Sequence, residues 1–374
     1  MQMQTIQELV AATLGSLRES AMTRRGLITA LVMLLSAPVI VTGYQASLAS
    51  MFNAPLRWIP RGSESRSEFN RFLELFGSHE LVLVSWPGCH VDDPSLDEID
   101  QSIEATRTER REAGQPALIN HLTTGPGLLR ELTEAPVRLS RESALRRLKG
   151  VVVGPDGKTS CLVVELTDYG AKNRRETIDI VTRAVTNATR LPQEDLIFAG
   201  PPIDGIAIDD ESFRSIAKYS VPATVVSLIL CCICLRSLWL SIPILLVGVF
   251  GQGLVLAMVH WTGSSMNAVL IVLPALVFVL TVSAGVHLIN YFLEELRHGS
   301  GDDAPKEAMR KARTPCVLAA ATTAIGLASL SVSEVQPVRD FGMLGAAVLL
   351  VCVALLFLFA PAFMTTCLLY TSPS

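Results

Sequence analysis

Long apolar runs and one long polar segment alternate along the chain. A helix needs about 20 mostly apolar residues to cross the hydrocarbon core of a bilayer. The run 26–46, which contains Pro38, has that length and follows a charged N-terminal segment, 1–25. Because a signal peptide has a shorter apolar core and a small-residue cleavage site, we predict that 26–46 is an uncleaved transmembrane helix.

Further apolar runs lie close together in the C-terminal half. Between Tyr219 and Phe292 the only formally charged residue is Arg236, and 342–374 contains none. Short polar or charged breaks divide this region into helix-length pieces. The predicted transmembrane helices cover about 216–235, 238–260, 266–292, 315–334 and 341–364, which leaves 365–374 as a C-terminal tail.

Lysine and arginine are distributed unequally between the two sides of the six predicted helices. Nine lie in short segments on one side: Arg18, Arg24, Arg25, Arg236, Arg297, Lys306, Arg310, Lys311 and Arg313. The short segments of the other side have Arg339 alone. Because such residues remain in the cytoplasm, six spans place both termini there and 47–215 outside.

The segment 47–215 has the composition of a water-soluble domain, since 48–217 carries 20 Lys+Arg and 26 Asp+Glu. Short apolar runs predict strands, and the periodicity between them predicts helices. The predicted strands are 80–86, 117–122 and 196–199, the helices are 95–112 and 173–191, a hairpin covers 150–167, and polar helices over 126–148 form an insertion. This order predicts a ferredoxin-like α/β sandwich.

The polar residues of this domain do not form a catalytic constellation. Ser85 and Ser160 lack a nearby His–Asp pattern, and the acidic run 209–211 is typical of a solvated helix start. We therefore predict a binding or gating module rather than an enzyme, without a metal or cofactor. A net charge of −4 predicts no nucleic-acid partner. Cys89 and Cys161 would pair if the domain faces an oxidising compartment, and the sequence leaves this open.

Several short stretches, in order and spacing, are similar to a known family. They are Gly200–Pro202, Leu235–Ser237, Val286–Asn290, Glu294–Glu295, Glu307–Ala308, Thr322–Gly326, Arg339–Gly342 and Pro361–Ala362. The chain resembles the first half of a resistance–nodulation–division (RND) transporter of the MMPL type. Helices two to six correspond to the sterol-sensing domain (SSD) of Patched-like proteins.

The resemblance implies a multi-pass protein of a bacterial cytoplasmic (inner) membrane that exports or moves a hydrophobic or lipid-like substrate. It also implies proton coupling in the full-length protein, with a missing second half or another protomer, and a periplasmic protein, as partners. The alternative is a non-transporting, sterol-sensing-like regulator or scaffold that binds lipid. The residues after Thr366 resemble translated sequencing-adapter read-through, so we expect the natural gene to continue differently.

The candidate coupling or substrate site lies in two of the predicted transmembrane helices. It comprises Ser283, His287 and Asn290 of the fourth helix, and Thr322 and Thr323 of the fifth. The resemblance implies an Asp-Tyr pair four residues before the histidine, and here Ser283 and an alanine stand in those places. His287 either titrates or is a neutral, hydrogen-bonded histidine. The two threonines either act in the site or form a packing seam.

Overall fold

The computed structural model of the chain describes residues 2–51, 53, 58–60, 62–76, 80–299 and 303–371. The last three residues of the predicted tail, 365–374, therefore lie outside the described residues. The chain divides into two compact units. The helical unit comprises Met1–Phe52, Trp58–Pro60 and Glu211–Ser374, and the α/β unit comprises Asn53–Arg57 and Arg61–Asp210.

Helices account for most of the described elements. In chain order the elements are α1 (Gln2–Ala49), α2 (Glu64–Phe76), β1 (Leu81–Ser85), α3 (Ser95–Glu112), β2 (Ile119–Thr123), α4 (Gly125–Thr133), α5 (Arg141–Leu148), β3 (Leu162–Leu166), α6 (Asp168–Lys172), α7 (Arg174–Thr189), β4 (Ile197–Ala199), α8 (Pro201–Leu235), α9 (Leu238–Trp261), α10 (Leu273–Arg297), α11 (Ala304–Ala328) and α12 (Gln336–Thr371).

Within the described residues, six helices are long and apolar enough to cross a membrane. Their spans are Arg24–Ala49, Pro201–Leu235, Leu238–Trp261, Leu270–Arg297, Ala304–Val332 and Gln336–Thr366. The prediction of six transmembrane helices is thus confirmed in length and composition. The chain is a helical, multi-pass membrane protein.

The helix ends differ from those expected from hydrophobicity alone. The second span begins at Pro201 rather than near 216, and the fifth begins at Ala304 rather than near 315. In both helices the first turns are polar but contain proline at a position that a helix start accepts. The fourth helix begins at Leu273 rather than near 266, because Pro274 occupies its first turn.

Glycines allow close approach between helices of the helical unit. A Cβ atom on Gly248 would lie 2.9 Å from the ring of Phe278, so α9 and α10 meet there without a side chain between them. A Cβ on Gly285 would overlap Ile244, and one on Gly251 would lie 2.6 Å from the sulfur of Cys352. These glycines act in packing, as small residues commonly do between transmembrane helices.

The sheet of the α/β unit has four short strands in the order β2-β3-β1-β4. Each neighbouring pair is antiparallel, with Val84 opposite Leu162 and Leu83 opposite Ala199. Helix α3 connects β1 to β2, and α7 connects β3 to β4. Although the sheet is small, its order supports an α/β sandwich of the expected kind.

Two apolar clusters cover opposite faces of β3. Leu162 and Val164 pack with residues of α3 and α7 in the main core, including Ile99 and Val181. Val163, which points to the other face as strand alternation requires, packs against the cluster formed by α4 and α5. The predicted insertion over 126–148 therefore forms two short helices over one side of the sheet.

The predicted hairpin over 150–167 forms only in part. Its turn at 154–157 and one antiparallel bridge, between Val153 and Ser160, are present, but only the second half contains a strand. Val153 also makes an isolated parallel bridge with Lys149. The amide of Val153 donates to the carbonyl of Leu148, and the amide of Gly150 donates to Val153, so the segment folds back on the end of α5. Its apolar residues pack against α4 and α5 rather than pair as a strand.

The acidic run 209–211 is not solvated throughout, in contrast to the prediction. The carboxylate of Asp209 is only 4% exposed and forms an ion pair with Arg174. Asp210 pairs with Arg175 at the surface, and Glu211 also lies exposed. Local sequence could not show this difference, because the partner of Asp209 lies 35 residues away.

Cys89 and Cys161 are free thiols in the structure. Cys89 belongs to the main core, whereas Cys161 packs against the α4–α5 cluster. Burial is the main cause that raises the pKa of Cys89 to about 11, with Asp93 contributing. Burial also raises the pKa of Cys161. Both thiols are therefore poor nucleophiles near neutral pH.

Candidate functional site: a groove between α10 and α11

A groove of about 430 Å³ lies between α10 and α11, and α12 forms its floor. Its lining residues are Leu280, Ser283, Ala284, His287 and Tyr291 of α10, Pro315, Cys316, Ala319, Ala320 and Thr323 of α11, and Leu349 and Val353 of α12. This volume and the apolar majority of the lining are typical of a small-molecule site.

The groove exists because α11 presents small side chains toward α10. Ala284, Ala319 and Ala320 all line the open space. Ala320 and Ala324 are also buried, as short side chains between closely packed transmembrane helices commonly are. Leu349 and Val353 of α12 close the bottom of the groove as part of an apolar cluster with Ala320.

Three of the five predicted site residues meet in this groove. Ser283 and His287 are one turn apart on α10, and Thr323 faces them from α11. Asn290 and Thr322 do not belong to the lining; both are exposed on their helices. The two helices named from the sequence therefore line one groove, to which three of the five residues contribute.

The two threonines satisfy their hydroxyl groups within their own helix. Thr322 and Thr323 both donate to the carbonyl of Ala319, over 3.0 and 2.9 Å. A threonine in a transmembrane helix can hydrogen-bond to a neighbouring helix or back to its own backbone. Both threonines here bond to their own backbone. Thr323 thus offers the groove an oxygen acceptor and its methyl group.

The groove contains few polar groups. They are the hydroxyls of Ser283, Thr323 and Tyr291 and the imidazole of His287. None of the described lining residues is Asp, Glu, Lys or Arg. The arrangement can hold an apolar molecule and hydrogen-bond one polar group of it, and it offers no fixed countercharge for an ionic headgroup.

An ion pair with a buried carboxylate lies just beyond the groove. Glu295 follows Tyr291 by one turn of α10, and Lys311 precedes Pro315 by one turn of α11. Glu295 is 4% exposed, and its Oε1 atom lies 2.5 Å from Nζ of Lys311. This pair could not be predicted from the sequence, because no local pattern shows which of Glu294 and Glu295 is buried.

Comparison with known proteins agrees with this architecture. The model of the MMPL family matches residues 95–367. This range includes α3 to α7, the strands β2, β3 and β4, and the helices that form the groove. No curated protein matches the chain.

Proposed function

Because the chain belongs to the MMPL family, we propose that it is a membrane transporter of the RND type that moves a hydrophobic or lipid-like molecule. The observation that carries this proposal is the groove between α10 and α11. Its walls are mostly apolar, and His287 and Ser283 supply hydrogen-bonding groups inside a membrane-spanning helix pair. The expected substrate is an apolar molecule with a neutral polar group.

Proton coupling is part of the proposal. Ser283 cannot carry a charge, so relay carboxylates would come from a second half or from another protomer. Ser283, His287 and Asn290 follow one another along one exposed face of α10 at spacings of four and three residues. Such a polar stripe on a membrane helix is costly in lipid, which supports a protein partner on that face.

We place the protein in a bacterial cytoplasmic membrane with 47–215 outside, where a periplasmic partner could bind. The Lys and Arg asymmetry of nine to one supports this orientation. Cysteine labelling on a background without the eight native cysteines tests it. Val151→Cys, at a site 71% exposed, should react from outside, and His298→Cys only after permeabilisation. Reaction of both from one side would refute the orientation.

A groove-filling substitution tests the function. Ala319 lines the groove, whereas its neighbour Leu318 is 62% exposed and does not belong to the lining. Cells lacking their own efflux pumps should accumulate less phenylnaphthylamine, a neutral hydrophobic dye, when they express the protein. Ala319→Phe should abolish this difference and Leu318→Phe should not. Equal behaviour of the two variants would remove the groove from the transport pathway.

The second candidate is a regulator or scaffold that binds lipid without moving it. The absence of a carboxylate among the described lining residues favours it, because the groove then has no strong proton relay of its own. This candidate predicts that the dye binds in the groove but that accumulation in cells does not change.

A further inference from the structure

A buried polar cluster joins the two ends of the α/β unit. Nη1 of Arg174 donates to the carbonyl of Asn53 over 3.0 Å, and Nη2 donates to the carbonyl of Gly205 over 3.1 Å and to the carboxylate of Asp209. Asn53 donates to Oδ1 of Asp209 through its amide nitrogen and through Nδ2, over 3.2 and 2.7 Å. One guanidinium thus binds two chain segments that also bind each other.

The cluster is closed to solvent. Arg174, Asn53 and Asp209 are 6%, 2% and 4% exposed. A Cβ atom at Gly205 would overlap Nη1 of Arg174, so glycine at this position of α8 provides the space that the guanidinium occupies. The guanidinium of Arg174 and the carboxylate of Asp209 are therefore paired inside a site that has no room for a side chain at Gly205.

The position of the cluster in the chain gives it a mechanical role. Asn53 is the first residue of the α/β unit and Asp210 is its last, with only Trp58–Pro60 between them assigned to the helical unit. Asn53 and Asp209 of the cluster thus lie next to the points where the chain first enters and finally leaves the α/β unit. Arg174 is the first residue of α7, whose Val181 and Val185 lie in the main core. The guanidinium consequently fixes both connections to the core of the same unit.

Stability alone does not account for such an arrangement. Apolar side chains of similar volume commonly stabilise a buried site as well as an ion pair does. A rigid, planar guanidinium also fixes the relative orientation of the groups that it binds. We propose that Arg174, Asp209 and Asn53 form a clamp that makes the two connections move as one body with the α/β core. The use of the clamp rests on the proposed transport function: when the α/β unit moves, the clamp makes α1 and α8 follow it together.

Hydrogen exchange of the full chain in lipid nanodiscs tests the clamp without any substrate. Asp209→Asn and Arg174→Lys should each accelerate exchange by about tenfold or more in peptides covering 50–53 and 203–209. Exchange within 181–189 of α7 should stay as in the wild type. Arg175→Lys and Asp210→Asn alter the neighbouring pair, whose side chains are 56% and 49% exposed, and should have little effect.

Acceleration at only one of the two connections would overturn the clamp, because the segments would then be held separately. Equal acceleration in the Arg175→Lys control would overturn it too. If Asp209→Asn opens the whole unit, the milder Arg174→Lys decides, and opening of 181–189 in that variant would show a general role in folding instead. Since no transport is measured, failure of the dye experiment leaves this result unaffected.

Discussion

Oε1 of Glu295 accepts a 2.5 Å charge-assisted hydrogen bond from Nζ of Lys311, one helical turn past the residues of α10 and α11 that line the groove. The pair thereby joins the two helices at that end of the groove. The side chain of Glu295 is 5% exposed, whereas that of Lys311 is 48% exposed. The carboxylate depends on its protein partners, while the ammonium group also reaches solvent.

Replacing the buried carboxylate should therefore cost more than replacing its neighbour. Glu295→Ala should lower the free energy of unfolding by about 2–3 kcal/mol, since it removes a buried carboxylate with its charge-assisted hydrogen bond to Lys311 and leaves a cavity. Glu294, whose side chain is 60% exposed, is the matched control, and Glu294→Ala should cost less than about 1 kcal/mol. Thermal unfolding in detergent compares the two, and equal midpoints would show that burial of Glu295 contributes nothing.

Glycine packing gives a second contrast. Gly285→Ala should destabilise the helical unit by about 1–3 kcal/mol, because the new Cβ overlaps Ile244 of α9 and the helices must separate. Gly326 of α11 has no neighbour within 4 Å of its Cβ position, so Gly326→Ala should be neutral or stabilising. A shift of the same sign and size in both variants would contradict the packing assignment.

The buried thiol of Cys89 makes stability depend on pH at the alkaline end. The folded pKa is raised to about 11 from 9.0, so the unfolded chain loses this proton first. The contribution is fully present below about pH 9 and is lost as pH rises toward about 11. Cys89→Ala should therefore reduce the loss of stability between about pH 8 and about pH 10.5. An unchanged pH dependence in Cys89→Ala would contradict this account.

Much of the fold could be predicted from hydrophobicity, because lipid demands long apolar helices. The ends of those helices could not be predicted, because the membrane determines only the length of the apolar part of each helix. Helices α8 and α11 begin with polar turns, at Pro201 and Ala304, that precede the apolar part. The first half of the predicted hairpin did not become a strand for a related reason. Val152 and Val153 are apolar like a strand, but they are buried by α4 and α5 rather than by a sheet.

The candidate site was predictable only in part. Residues four apart share a helix face, so spacing alone places Ser283 and His287 on one side of α10, where both line the groove. The same spacing rule included Asn290, which does not line the groove. It also could not show that Thr323 lines the groove whereas Thr322 does not. Contacts between distant residues, such as Arg174 with Asp209, leave no local pattern in a single sequence.

His287 should contribute hydrogen bonding rather than proton coupling. His287→Asn should leave the pH dependence of dye export unchanged and lower stability by only about 1 kcal/mol. The reason is that the described groove lining offers the imidazole no carboxylate partner. Export measured across a range of pH in wild type and variant decides this. Complete loss of pH dependence, with normal insertion, would make His287 the relay.

Movement of a hydrophobic molecule through the groove is tested most directly in proteoliposomes made with the purified protein. Binding of phenylnaphthylamine and its release from preloaded vesicles are measured in the same preparation, for the wild type, Ala319→Phe and Leu318→Phe. The account predicts binding and accelerated release with the wild type and Leu318→Phe, and neither with Ala319→Phe. Binding that depends on the groove without any accelerated release would contradict transport and identify a lipid-binding regulator.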